Sequence, residues 1–202
     1  MKKYKSIIFD CDGTLLNSKD ATIRAYELMV GSKFNNEIKN KIFHQSRIDT
    51  FKMLGLSENK ETIDEFNRFY RLGIKDTKFY DGILELLSIL KEEGIHIGMA
   101  TNRETSSAEE VLRENGLNSY ISDMVDAEQA GLPKPSGKML DIYVTRNGLK
   151  KKETLFVGNA ISVHLAAIDA GIDYAYCRWG TKDYDEKEAI ILDLPKNLLS
   201  YI

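Results

Sequence analysis

The chain has 202 residues, 43% of them hydrophobic and 29% charged, which suits one globular domain or a domain carrying a smaller inserted one and excludes extended disorder. Its 28 basic and 31 acidic side chains leave a formal charge of -3, so no global field favours nucleic acid or an anionic membrane, and any preference for anions has to be built locally. Two cysteines, Cys11 and Cys177, make no disulfide framework in a chain of this length, which fits a reducing compartment and points to the cytoplasm.

The basic start at residues 1–5 is followed by only three apolar residues, Ile7 to Phe9, before Asp10 interrupts them, which is too short for an export signal. The segment Ser6–Phe9 itself reads as a buried strand. From about Lys19 to Tyr80 no strand pattern is visible, and helical periodicity recurs at 23–30, 37–43, 47–54 and 61–72. From residue 81 the pattern alternates. Strands are predicted at 96–100, 154–157 and Asp173–Cys177, and helices at 82–93, 106–115, 136–147 and 162–170, with Gly94, Gly116, Gly148 and Gly171 as their stops. The apolar stretch 83–90 contains Glu85 and lies between Asp81 and Lys91, and no run approaches the roughly 20 apolar residues needed to span a bilayer, so a soluble protein is expected. The fold class read from this order is α/β, with parallel strands joined by helical crossovers and a helical insertion after the first strand. The expected boundaries are 1–18 and 81–202 for the α/β part and 19–80 for the insertion.

Chemistry concentrates where the first strand ends, at Asp10-Cys11-Asp12-Gly13-Thr14. Residues two apart on a strand project to the same side, so Asp10 and Asp12 converge on one pocket while Cys11 turns into the packing. Gly13 permits a sharp turn that exposes backbone amides, and Thr14 adds a hydroxyl. Asp-x-Asp-Gly also opens calcium loops, but Ala21 stands at the twelfth position, where such a loop needs Glu.

This segment resembles the first motif of the haloacid dehalogenase-like hydrolase superfamily, and three later segments extend the resemblance over nearly the whole chain after Tyr4. Gly98-Met99-Ala100-Thr101-Asn102 is similar to the second motif, in which the hydroxyl and the next backbone amide hold the transferring phosphoryl group; taken alone, Thr-Asn after a strand is a common helix N-cap. Gly131-Leu132-Pro133-Lys134-Pro135 is similar to the third, whose lysine neutralises nucleophile and phosphate. The fourth motif departs from the pattern. Where the family places two acidic residues that hold magnesium, this chain has Asn159 and Val163. Asn159 reads equally well as a helix cap or as a weak metal contact.

The resemblance implies a Rossmann-like parallel sheet with an all-helical cap of the phosphoglycolate-phosphatase-like kind. It implies Asp10 as nucleophile, Asp12 as general acid and base, phosphate binding by Thr101, Asn102 and Lys134, and Mg²⁺ held by Asp10, Asp12 and Asn159. Two carboxylates, one lysine and Mg²⁺ make the pocket about +1, against about -1 for the family's four carboxylates, so weakened metal binding and low activity are expected. His164, about 100° around the helix from Val163, is a poor substitute ligand. The expected partner is a small phosphorylated metabolite, with neither nucleic acid nor membrane. Asp12 speaks against a carbon–halogen hydrolase, which lacks an acid there. Two alternatives stay open beside a phosphatase: a phosphomutase, and a catalytically reduced protein that binds a phosphorylated ligand or a partner in a regulatory role. Arg47 at the start of a cap helix reads as a surface charge or as a contact for an anionic substrate tail.

Overall fold

A computed structural model describes residues 3–44, 47–74, 77–180 and 189–202. The chain divides into two compact units, one made of Met1–Asn17 with Phe79–Ile202 and the other of Ser18–Lys78.

The larger unit is built on a six-stranded parallel sheet. In chain order its strands are β1 (Ser6–Phe9), β4 (His96–Thr101), β5 (Asp123–Asp126), β6 (Thr154–Gly158), β7 (Asp173–Cys177) and β8 (Ile190–Leu192), while the two-residue strands β2 (Leu16–Asn17) and β3 (Lys78–Phe79) lie near the two points where the chain passes between units. The spatial order is β5-β4-β1-β6-β7-β8, which places β1 in the middle with β4 and β6 in register on either side, Phe9 opposite both Met99 and Val157. Every residue of β1 is buried, as befits a central strand covered on both faces. Helices α5 (Ile83–Glu92), α6 (Thr105–Glu114), α7 (Ala127–Ala130), α8 (Lys138–Arg146) and α9 (Ile161–Ala170) complete the α/β pattern. Each of the four helices predicted after residue 81 is present, with ends within two residues of the expected ones.

Four strands escape the sequence reading: the two-residue β2 and β3, too short to show a pattern although β3 lies within the stretch 19–80 read as free of strands, and β5 and β8. β5 is Asp-Met-Val-Asp, with a carboxylate at each end and only two apolar residues, and β8 is a three-residue strand at the sheet edge; neither carries a run long enough to show a period. One close approach fixes the packing against β4. A Cβ at Gly98 would lie 2.1 Å from the Tyr143 hydroxyl oxygen, so α8 can lay that ring on the strand only because residue 98 has no side chain. The ring is fully buried, and its hydroxyl pairs with His96 Nδ1 at 2.8 Å.

The smaller unit is helical: α1 (Lys19–Val30), α2 (Asn36–His44), α3 (Arg47–Met53) and α4 (Lys60–Ile74). Its core is aromatic, with Tyr26 and Phe66 at 4.6 Å, Phe51 edge-on to both, and Tyr70 stacked on Phe66. Arg47 is exposed at the start of α3. Among the described residues no helix is long and apolar enough to cross a membrane.

Candidate active site

The site forms where parallel strands end at their carboxyl edge, the position at which open α/β sheets gather ligand-binding loops. β1 runs into Asp10, whose backbone amide donates to the Val157 carbonyl at 2.9 Å and so extends the ladder by one residue. The chain then winds tightly around one carbonyl: the amides of Leu15 and Leu16 donate to Cys11 O at 3.0 and 3.1 Å, and Gly13 N donates to Leu16 O at 2.8 Å. Gly13 takes φ +75°, a left-handed conformation that a residue with a Cβ rarely adopts. The turn expected from the sequence is thus present, and Cys11 faces inward, fully buried.

Asp10 is buried and paired. Its Oδ1 accepts from Lys134 Nζ at 2.5 Å and from the Cys11 amide at 2.8 Å. Burial pushes the Asp10 carboxyl above the ordinary carboxylate range, while Lys134 pulls in the opposite direction and Asp12 adds to the rise. Lys134 is itself buried, and its ammonium also donates to Ala100 O at 3.1 Å. Its backbone is held from both sides by one amide side chain: Lys134 N donates to Asn102 Oδ1 at 2.7 Å, and Asn102 Nδ2 donates to Lys134 O at 3.3 Å. The side chain of Asn102 therefore positions the lysine. Downstream, Gly137 N donates to Asp169 Oδ2 at 2.7 Å, which ties the lysine loop to the end of α9.

Asp12 meets a partner the sequence reading did not anticipate. Arg103 Nη2 and Nε donate to its two carboxylate oxygens at 2.7 and 2.9 Å, a bidentate pair in which the arginine side chain is 7% exposed and the aspartate 40%. Arg103 Nη1 donates to Ser107 Oγ at 3.0 Å, and Arg103 N donates to Thr101 Oγ1 at 3.2 Å. Thr101, at the end of β4, is thus buried beside the arginine. The available signal was thin: a cation directly after Thr101-Asn102, with a hydroxyl four residues on at helical spacing. An isolated arginine is ordinarily a solvated surface residue.

Asn159 lies just past β6, packed against the first turn. Its Oδ1 accepts from Thr14 Oγ1 at 3.3 Å, and a Cβ at Gly13 would come within 2.3 Å of its Nδ2. The chain beyond β7 closes over the same turn: Trp179 Nε1 donates to Thr14 O at 2.9 Å, and a Cβ at Gly180 would stand 1.8 Å from Gly13 O. Val163 is buried in the apolar cluster formed with Phe156, Tyr174 and Tyr176. His164 packs likewise, stacked on Tyr174 at 4.7 Å.

These residues do not fit a resident magnesium ion of the family's kind. Among the described residues no three His, Cys, Asp or Glu side chains converge on a metal position. Asn159 offers an amide oxygen already engaged by Thr14, Val163 offers none, and a metal at the Asp12 carbonyl would stand beside a guanidinium that grips both carboxylate oxygens of that residue and repels a divalent cation. Cys11, although flanked by the two carboxylates, is no rival nucleophile, because burial drives its thiol far above its usual pKa.

A family model for haloacid dehalogenase-like hydrolases matches residues 7–177. A pyrophosphatase PpaX from Halalkalibacterium halodurans is 23% identical over 188 residues, covering 91% of this chain and 87% of the relative. A phosphoglycolate phosphatase from Haemophilus influenzae is 27% identical over 196 residues, covering 86% and 88%. Among solved structures, one from Lactobacillus plantarum superposes with a TM-score of 0.89 at 22% identity over 99% of this chain and 100% of that one. A HAD-superfamily hydrolase from Geobacter sulfurreducens gives 0.78 at 24% identity over 98% and 95%. With the central-strand aspartates, the buried lysine and a matched segment spanning most of its length, the chain belongs to the haloacid dehalogenase-like hydrolase family.

Proposed function

We propose that the chain is a phosphatase that hydrolyses a small phosphorylated metabolite through an aspartyl-phosphate on Asp10. The observation that carries this reading is the buried Asp10–Lys134 pair at the end of the central strand. A carboxylate taken out of water beside one ammonium is a poor structural investment, since burying such a pair seldom stabilises a fold. It is well suited to attack phosphorus, with the ammonium placed to offset charge on nucleophile and phosphate alike.

In the first step an Asp10 oxygen forms a bond to phosphorus, and the bond from phosphorus to the leaving oxygen breaks, that oxygen keeping the electron pair and taking the proton that Asp12 gives up. In the second, water adds to phosphorus, its proton passes to Asp12, and inorganic phosphate departs with the Asp10 carboxylate restored. Arg103 fixes the direction of Asp12 by holding both of its carboxylate oxygens. Thr101 and the Asn102 amide lie at the end of β4 to receive nonbridging oxygens. No step in this scheme uses magnesium. The helical unit, assigned as a cap over about residues 19–80, would read the leaving group, and the two buried free thiols accord with a cytoplasmic setting.

A second reading, a reduced relative that binds a phosphorylated ligand without turnover, is favoured by Asn159 and Val163. The two are separated by turnover of acetyl phosphate and of a phosphomonoester by the native chain and by Asp10→Asn. The phosphatase reading expects release of inorganic phosphate that falls at least about a thousandfold in the variant. Equal rates for the two proteins would refute it.

A further inference from the structure

We infer that Arg103, with Lys134, supplies the positive charge against which this chain receives a phosphoryl group, so that phosphate binding and transfer proceed without a divalent cation. This rests on the reading of the site as a phosphoryl-transfer centre.

Formal charge is the first ground. Among the described residues the pocket's two carboxylates, Asp10 and Asp12, are each matched by a buried cation, Lys134 and Arg103, and these four side chains sum to zero before any ion enters. A divalent cation would carry this pocket to +2, whereas in a site with four carboxylates and a lysine it brings -3 to about -1. The charge that a metal ordinarily contributes is already in place.

Loss of the ligands is the second ground. Val163 sits in the core cluster 1% exposed, and the Asn159 oxygen is committed to Thr14. The same chain therefore offers no carboxylate at 159 or 163 on the β6 side and carries a guanidinium on the β4 side.

Geometry is the third. The guanidinium is 7% exposed, braced by Ser107, and carried on the residue after Asn102, whose neighbour Thr101 shares a hydrogen bond with its backbone. A planar fork matches phosphate oxygens as it matches a carboxylate, so an incoming phosphoryl oxygen takes over a donor that Asp12 now holds, and the planar geometry reduces the entropy lost on binding.

The test uses inorganic phosphate as probe, followed calorimetrically in EDTA and again with excess Mg²⁺. Native protein is expected to bind phosphate in EDTA with an affinity that Mg²⁺ changes less than about threefold, since no ligand set awaits the ion. Arg103→Gln should weaken binding in EDTA by about tenfold or more, the scale of a lost charged hydrogen bond, with Arg103→Lys recovering part of it. Because Arg103→Gln strips Asp12 of its partner, the double variant Arg103→Gln with Asp12→Asn keeps the pocket balanced and should show the same loss. Phosphate binding that appears only with Mg²⁺, or an affinity in EDTA indifferent to both variants, would overturn the inference. Turnover in EDTA separates the two readings. Native protein that binds phosphate without metal yet cleaves neither acetyl phosphate nor a phosphomonoester sinks the phosphatase reading and supports the charge assignment. Turnover abolished by EDTA sinks the charge assignment alone.

Discussion

Replacing Lys134 by Met removes one member of a buried ion pair while keeping the length of the side chain, and its cost is set by what Asp10 then does. Ionised and unpaired in the interior, it would destabilise the fold by about 3–5 kcal/mol. The carboxyl has another course, which is to take up a proton. That costs about 1.4 kcal/mol for each pH unit above an unperturbed value near 3.9, which caps the penalty at about 4 kcal/mol at pH 7 and about 1.5 kcal/mol at pH 5. The direction follows from linkage. Burial already raises the Asp10 pKa in the native chain, and without Lys134, which opposes that rise, it climbs further. A native state that holds more protons than the unfolded one loses stability as pH rises through the interval between their pKa values. The variant should therefore be destabilised by about 3 kcal/mol at pH 7 and by about 1 kcal/mol at pH 5, read as the shift in urea midpoint at unchanged slope. Part of the loss is independent of pH, since the lysine also donates to Ala100 O and lies 5.6 Å from the centre of the Phe156 ring. A penalty equal at the two pH values, or below about 1 kcal/mol at pH 7, would refute the assignment of Lys134 as the group that keeps Asp10 charged.

The same raised carboxyl governs activity. Because Asp10 must be ionised to attack, turnover should fall as pH drops through its folded pKa, so the acid limb of kcat/KM should lie above about 3.9 and move higher still in Lys134→Met; a limb at the ordinary carboxylate position would contradict the burial argument. Both carboxylate oxygens of Asp12 accept from Arg103, so giving a proton to a leaving group requires Asp12 to loosen that grip; acyl and aryl phosphates should be cleaved at least about tenfold faster than alkyl phosphates, and equal rates across these leaving groups would show that Asp12 still donates its proton freely.

How far the fold could be read from the residues depended on contrast along the chain. β1, β4, β6 and β7 are short apolar runs that end at polar or glycine residues, and a period-free run of that kind bounded by helices reads as a buried parallel strand. β5 lacks the contrast because its aspartates have local work: Asp126 accepts from Gln129 N at 2.9 Å and from Thr105 Oγ1 at 2.9 Å, so an acidic residue marks the strand's end where an apolar one would have shown its course. The strand is specified by β4, its neighbour at Gly98 to Thr101, and by the hydrogen bonds it receives, neither of which is a local property of its own four residues.

The site divides along the same line. Asp10, Asp12 and Thr101 were legible because they stand at or just past the end of an apolar strand, and Lys134 because prolines flank it ahead of a helix, so position carried the information that residue type alone did not. Arg103 was illegible for the converse reason: its meaning lies in a contact across 91 residues, and nothing within its own turn distinguishes it from an exposed arginine. Asn159 falls between. Its identity announced that a carboxylate was missing, but the use of its oxygen by Thr14, and of its flank by Gly13 and Gly180, is a matter of packing among three separate loops. The substitutions at 159 and 163 read from sequence as subtraction, and a site that has only lost ligands is a weakened one. With a buried guanidinium on Asp12, the residues at 159 and 163 read as one side of a balance. Neither Asn159 nor Val163 brings a carboxylate to repel an incoming phosphate, a fixed cation stands on the β4 side, and among the described residues Asp10, Asp12, Lys134 and Arg103 sum to zero.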